Sequence, residues 1–337
     1  MNIRQVLEER EANTLSPYAS LSINSRGRQN YEESCTVRTA YQRDRDRILH
    51  SKAFRRLMHK TQVFFSPEGD HYRTRLTHTL EVSQIARTIS RALFLNEDLT
   101  EAIALGHDLG HTPFGHSGEE VLNKIMKDKF NSEFTHNKQS LRVVDYIEKE
   151  GQGLNLTWEV RDGILNHSGD IQPSTLEGKV VHFSDRVAYI NHDIDDAIRA
   201  GILSESDLPE GDVKILGYHH RDRINTLVRD VIDSSSEKPE ILLSPKTEKS
   251  MLSLRDFLFR TVYIDSEAKM EERKTSKILC DLFWYFYKNY NEMPIEFIPK
   301  NENEIPVYVC DYLAGMTDRY ALSVYSDLFI PKTWHIK

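Results

Sequence analysis

Cysteine is scarce in this sequence: Cys35, Cys280 and Cys310 are the only three in 337 residues, widely spaced and in no C-x-x-C arrangement. That spacing excludes a disulfide framework and a thiolate metal site, and it fits a reducing compartment. No apolar run is long enough to cross a bilayer, and the opening MNIRQVLEEREANT is charged where a signal peptide needs an apolar stretch. The expectation is a cytoplasmic protein with no membrane partner. There is no G-x-x-x-x-G-K-[ST] phosphate loop, no G-x-G-x-x-G dinucleotide turn and no G-x-S-x-G nucleophile elbow. Repeats, low-complexity tracts and strand-like alternation are also missing.

What is present is a globular composition, 39% hydrophobic and 28% charged, which rules out disorder of the whole chain. The net charge of −8 is unevenly spread. From Arg38 to Lys60 eight Lys or Arg stand against Asp44 and Asp46, a local excess of +6. A short basic stretch on an acidic chain suits a compact anion such as a triphosphate better than a long nucleic acid, which needs a broad basic face. A solvated helix face explains the same charges equally well.

The apolar spacing is helical almost throughout. His78, Val82, Ile85 and Ile89 recur at four, three and four residues, so His78 lies on the buried face of a helix running from Arg75 to Leu93. Asp98 with Glu101 reads as an N-cap and its capping-box partner, opening a helix that ends at His107-Asp108. Gly110, Pro113 and Gly115 break GHTPFGH, and Ser117 with Glu120 reads as a second capping box. Further helices are predicted over 137–149, 157–167, 176–200, 212–232, 251–264, 268–290 and within 308–328. Asp233–Ser250, with Pro239 and Pro245, reads as a loop.

The chemistry concentrates on a few side chains. Asp108, adjacent to His107 at an apolar helix end, is a carboxylate whose burial costs several kcal/mol unless a cation or strong donors meet it. A metal ion is the simplest partner. His78, on the preceding helix, is placed to share that ion with His107, and Asp185, inside the apolar run VVHFSDRVA, is the candidate fourth ligand. Singly, each is more often a hydrogen-bonded core His or a capping Asp. Two His and two Asp in apolar helices are harder to explain that way.

The pieces FRRLMHKTQVF (54–64), TRLTHTLEVSQIAR (74–87), GHDLGHTPFGHSGE (106–119), FTHNKQSLRVV (134–144), SDRVAYINHDIDDA (184–197) and CDYLAGMTDRYAL (310–322) resemble the deoxyguanosine triphosphate triphosphohydrolases of the HD-domain metal phosphohydrolases. The resemblance implies an all-α fold, an HD-domain helical bundle with additional C-terminal helices. It divides the chain into an N-terminal extension (1–42), a catalytic core (43–232) and a C-terminal helical region completing the nucleotide pocket (233–337). It assigns His78, His107, Asp108 and Asp185 to one divalent metal, for which such a mixed nitrogen and oxygen set suits Mn²⁺ or Mg²⁺, with Co²⁺, Ni²⁺ and Fe²⁺ as alternatives. In the family, water attacks the α-phosphorus of a dNTP and the nucleoside 5′ oxygen leaves, giving a deoxynucleoside and inorganic triphosphate.

By the same resemblance His116 is the catalytic histidine, with Glu119 orienting it or relaying its proton. Glu119 as a first-turn acid on the helix dipole is the plainer alternative. His111, His136 and Arg75 would bind phosphate oxygens or serve as supporting hydrogen bonds. Tyr189 and Asp193 follow Asp185 at i+4 and i+8, all within roughly 80° around the helix. The resemblance puts Tyr189 against the sugar, excluding a 2′-hydroxyl, and Asp193 with Gln62 on the 3′-hydroxyl. A core Tyr189 and a solvated acidic face of Asp193, Asp195 and Asp196 are the alternatives. Arg255 and Tyr263 are placed against phosphate and base. The resemblance further implies a homo-oligomer and a second dNTP acting as activator. Two rivals share the metal ligands: a phosphodiesterase or pyrophosphohydrolase acting on other guanine nucleotides, and a nucleotide sensor without turnover.

Overall fold

The computed structural model describes residues 2–62, 73–262 and 268–332, with side chains from 273 onward in the last segment. Among the described residues no strand forms, and the only bridges are isolated, Arg28 with Thr157 and Thr61 with Thr74. The fold is all-helical: α1 (Ile3–Thr14), α2 (Ala40–Leu49), α3 (Lys52–Arg56), α4 (Arg75–Ala92), α5 (Glu97–Gly106), α6 (Gly115–Phe130), α7 (His136–Arg142), a short turn α8 (Glu148–Gly151), α9 (Trp158–Asn166), α10 (Leu176–Arg199), α11 (Glu210–Leu216), α12 (His220–Ser235), α13 (Pro245–Thr261), α14 (Ala268–Lys288), α15 (Ile305–Ala314) and α16 (Asp318–Phe329).

Helix α4 forms where its periodicity predicts, with Thr74 capping its start and His78, Val82, Ile85, Ala86 and Ile89 buried. Two predicted caps are displaced. Asn96, not Asp98, caps α5, accepting from Leu99 N at 3.2 Å, while Asp98 faces Gln42 and Arg45. Helix α6 begins at Gly115 without a side-chain cap, so Ser117 and Glu120 lie inside its first turns. The preceding turn is closed instead by Thr112 Oγ1 donating to Gly115 O at 3.0 Å and Phe114 N donating to Asp318 Oδ1 at 3.0 Å.

The helix predicted over 137–149 widens into a π turn at Val143–Ile147. It ends because Glu148 is diverted to accept from Lys52 N and Ala53 N at 3.1 and 2.7 Å, holding the start of α3. The single helix predicted over 212–232 is broken into α11 and α12 at Gly217, whose φ of +121° no other residue adopts readily. The predicted loop shrinks to residues 236–244, because α12 continues to Ser235 and Pro245 starts α13 rather than breaking a chain.

The basic stretch is mixed: Arg38, Lys52 and Arg55 are exposed, while other cations of the stretch are held by acidic or carbonyl partners. Arg28 pairs with Asp44, Arg45 with Asp98 at 3.1 Å and Arg47 with Glu32 at 2.6 Å. Lys60 is buried, donating to His111 O at 2.5 Å and Ala314 O at 2.7 Å.

Apolar side chains gather in two clusters. The larger joins α2, α4, α5, α9 and α10 with α11, α12 and α13, and the smaller joins α6 with α14, α15 and α16. The segment from Asp108 to Phe114 crosses between them, with Leu109 in the first and Phe114 in the second. The histidine-rich site lies at that crossing.

Candidate metal and phosphate site

Three helices bring the four expected ligands together. α4 carries His78, the end of α5 carries His107 and Asp108, and α10 carries Asp185. His78, His107 and Asp108 each present a ligand atom within 4.8 Å of the others, as do His107, His167 and Asp185. Asp185 Oδ1 lies 3.0 Å from His78 Nε2 and 3.8 Å from His107 Nε2. His107 Nδ1 faces Ala104 O at 2.6 Å, which fixes the proton there and leaves Nε2 as a bare lone pair. That Nε2 is buried with no hydrogen-bond partner among the described residues, an arrangement that costs about 1–3 kcal/mol unless a cation or donor meets it. The donor set therefore fits a divalent ion.

Electrostatics favour charged carboxylates here. Burial opposes the charge on Asp108, but the Arg75 guanidinium, donating at 2.6 Å, and the neighbouring histidines hold its carboxyl well below the usual range. Burial opposes Asp185 as well, and the hydrogen bond to His78 with the nearby His107 overcomes it. Arg75 spends only Nη1 on Asp108. Among the described residues its Nε and Nη2 are buried without hydrogen-bond partners, and Nη2 lies 3.9 Å from the position a Cβ on Gly115 would take in the HTPFGH turn.

A second group adjoins the first. Glu119 accepts from His136 N at 2.8 Å and lies 2.9 Å from His136 Nδ1, against 3.7 Å from His116 Nδ1 and 3.8 Å from His111 Nε2. His111 stacks on His136 with ring centroids 5.0 Å apart. Burial works against a charge on His136, but the Glu119 carboxylate prevails and raises its pKa. His116 is 69% exposed at the tip of the turn. The turn itself is strained: Phe114 adopts φ +63°, a left-handed conformation costing on the order of 1–2 kcal/mol for a bulky residue.

Asp193 is 4% exposed and Asp196 is 2% exposed, so the solvated acidic face fails for both; Arg73 holds Asp196 at 2.9 Å and Asp195 at 3.2 Å. Burial, then the charge of Asp196, pushes the Asp193 carboxyl well above its usual range. Tyr189 packs partly buried against the larger cluster, and burial lifts its phenol to about 12. Gln62 is buried, and its Oε1 has no hydrogen-bond partner among the described residues. Arg255 is half-buried, bonded to Asp256, and close enough for its charge to act on Tyr189. Tyr263 lies outside the described residues.

Sequence reasoning missed His167 and His192. His167 Nε2 faces His136 Nε2 at 3.1 Å, and burial with His107 and His136 draws its pKa down to about 3. The signal was present: Val160, Ile164 and His167 recur at four and three on the buried face of α9. His192 packs edge-on to His78 at 5.7 Å and bonds Glu81 at 3.1 Å.

Close backbone approach also shapes the site. A Cβ on Gly110 would stand 2.1 Å from Ser140 N, where Gly110 N donates to Ser140 Oγ at 2.9 Å. Gly110→Ala is expected to lower Tm by on the order of 5 °C, since an added methyl at a tight contact typically costs a few kcal/mol. An unchanged melting curve would mean that α7 yields freely.

The HD domain family profile matches residues 75–190, and that of the phosphohydrolase-associated domain matches residues 241–327. The deoxyguanosinetriphosphate triphosphohydrolase-like protein of Caldanaerobacter subterraneus is 60% identical over 99% of this chain and 98% of its own length. The protein of the same description from Desulfatibacillum aliphaticivorans is 51% identical over 98% of this chain and 99% of its own. Among solved structures, a phosphohydrolase from Bacteroides thetaiotaomicron shares the fold with a TM-score of 0.52 at 18% identity, covering 89% of this chain and 71% of that one. An HD-domain fold with a His/Asp group able to hold a metal defines a hydrolase acting on phosphate bonds. The chain belongs to the family of deoxyguanosinetriphosphate triphosphohydrolase-like proteins. Among the described residues no helix is long and apolar enough to cross a membrane.

Proposed function

We propose that this protein is a metal-dependent deoxynucleoside triphosphate triphosphohydrolase, taking dGTP by default. The observation that carries the reading is the convergence of His78, His107, Asp108 and Asp185 beside a turn that carries His111 and His116 and adjoins Glu119 and His136. The four ligands would hold Mn²⁺ or Mg²⁺, which when bound polarises a phosphoryl oxygen and acidifies water.

The protein's own side chains do the rest. Arg75 donates its spare Nη2 and Nε to phosphate oxygens, and His111 and His136 flank the same chain of phosphates. Water attacks the α-phosphorus, the bond from phosphorus to the 5′ oxygen breaks, and His116 supplies the proton that the departing oxygen takes. Glu119 holds the histidines around it in place by its charge. Tyr189 closes the sugar pocket against C2′, while Asp193 and Gln62 receive the 3′-hydroxyl. Arg255 extends toward the nucleotide, and the C-terminal helices complete the pocket. Family resemblance alone supports the remaining parts of the reading: a cytoplasmic homo-oligomer in which a second dNTP acts as activator.

The test is to incubate purified protein with each dNTP and with GTP, in Mn²⁺, Mg²⁺ or EDTA, and to resolve the products by ion exchange. Deoxynucleoside with intact triphosphate, abolished by EDTA, is expected. Release of pyrophosphate or orthophosphate would place the cleavage elsewhere and end this reading. Tyr189→Ala is expected to narrow the ratio of dGTP to GTP turnover by about tenfold or more, since the ring leaves no partner or room for the extra hydroxyl. An unchanged ratio removes Tyr189 from the sugar pocket.

A further inference from the structure

The motif MTDRYAL has no part in the roles assigned so far, yet its aspartate reaches the catalytic turn. Asp318 opens α16 behind the Thr317 cap, where the helix dipole favours a carboxylate. It is 7% exposed and collects three donors from two distant segments. Oδ1 accepts from Phe114 N at 3.0 Å, and Oδ2 accepts from Thr61 N at 2.9 Å and Thr61 Oγ1 at 2.5 Å. Phe114 is the left-handed residue immediately before the helix that carries His116, and its ring is buried in the C-terminal apolar cluster. Thr61 precedes Gln62, whose carbonyl comes within 3.4 Å of the position a Cβ on Gly115 would take.

Lys60 works beside it, bonding His111 O in the turn and Ala314 O at the end of α15. Lys60 O in turn accepts from Arg75 N at 3.1 Å. The corner between α15 and α16 thus anchors both the turn and the segment 60–62, and that segment adjoins the first residue of α4. A left-handed aromatic persists only where its surroundings hold it, and the hydrogen bond to Asp318 is one of those constraints.

We propose that Asp318 is a positioning residue: through Phe114 and Thr61 it sets where His116 and Gln62 meet the nucleotide, without touching substrate. This rests on the reading of the site as a dNTP triphosphohydrolase. Its mechanical part, control of the 111–116 turn, can be read without any substrate.

The experiment compares Asp318→Asn and Asp318→Ala with the wild-type chain by metal content, by steady-state kinetics on dGTP with Mn²⁺, and by amide hydrogen exchange. Asp318→Ala is expected to lower kcat about 10²-fold, as misplacement by an ångström does, with KM within about threefold and metal content unchanged. Asp318→Asn, which keeps one acceptor, should lie between. Exchange should quicken across 111–116 and stay unchanged along α4. Unchanged exchange in the turn, or kcat within about twofold in a metal-loaded Asp318→Ala protein, overturns the proposal. So does a loss shared equally by metal, KM and exchange throughout the chain, which marks a general structural role. If Asp318→Ala does not fold, Thr61→Val and Thr61→Ser take its place: Val should slow turnover and loosen the turn, whereas Ser should restore both. A wild-type protein inactive on every dNTP would end the functional reading, and the exchange comparison would then decide the positioning claim alone.

Discussion

Asp108→Ala is expected to lose bound metal and turnover together. The side chain is buried, offers one of the converging ligand atoms, and among the described residues is the only hydrogen-bond partner of the buried Arg75 guanidinium. Removing it leaves that cation uncompensated in the interior, a change that typically costs about 3–5 kcal/mol. The variant should therefore melt lower as well as fail to hold Mn²⁺. Asp108→Asn separates the effects, because an amide of the same shape still accepts from Arg75 while its neutral oxygen is a poor ligand. It should recover much of the thermal stability and none of the metal. Elemental analysis of the dialysed proteins, with melting curves and product analysis, decides the matter. Metal retained at wild-type stoichiometry in both variants would remove Asp108 from the ligand set.

His116→Ala should behave in the opposite way. Its imidazole is mostly solvent-exposed at the start of α6 and groups with His111 and Glu119, separate from His78, His107, Asp108 and Asp185. Metal content and Tm should stay at wild-type values while kcat falls roughly 10²–10⁴-fold, the usual share of a general acid or base. Single-turnover measurements at saturating dGTP make the loss readable as chemistry instead of release. Loss of metal in step with activity would show that His116 is a ligand or a support for one.

The helical class and the inward placement of His78, Asp108 and Asp185 were legible in the sequence for one reason: both are local patterns tied to burial. His78 sits in a four-three-four apolar rhythm, and Asp108 and Asp185 are carboxylates in apolar company, so each announces a buried charge needing a partner. Helix ends were less legible because several residues compete to satisfy them. Asn96 outcompeted Asp98, and Glu148 left its own helix to serve α3. The partners of Glu119 were illegible for a different reason. Its closest contact, His136, is 17 residues away, and the next histidine in that chain, His167, comes from α9. No local period relates them: His136 at the start of α7 meets Glu119 on α6, and the packing of α7 against α9 adds His167. The pairing of the buried Asp196 with Arg73 was hidden likewise, since no helical spacing connects Arg73 to α10.

Helix α13 falls within the stretch matched by the phosphohydrolase-associated profile, yet Met251, Leu254 and Leu258 belong to the larger apolar cluster with α10 and α11. A gene fragment ending before Pro245 would turn that face of the larger cluster toward water, and the complementary fragment would carry an amphipathic helix stripped of its seat. Modular in sequence, the chain is interlocked in space. Recombination or domain transfer within such a family is then constrained to move the two stretches as one heritable unit.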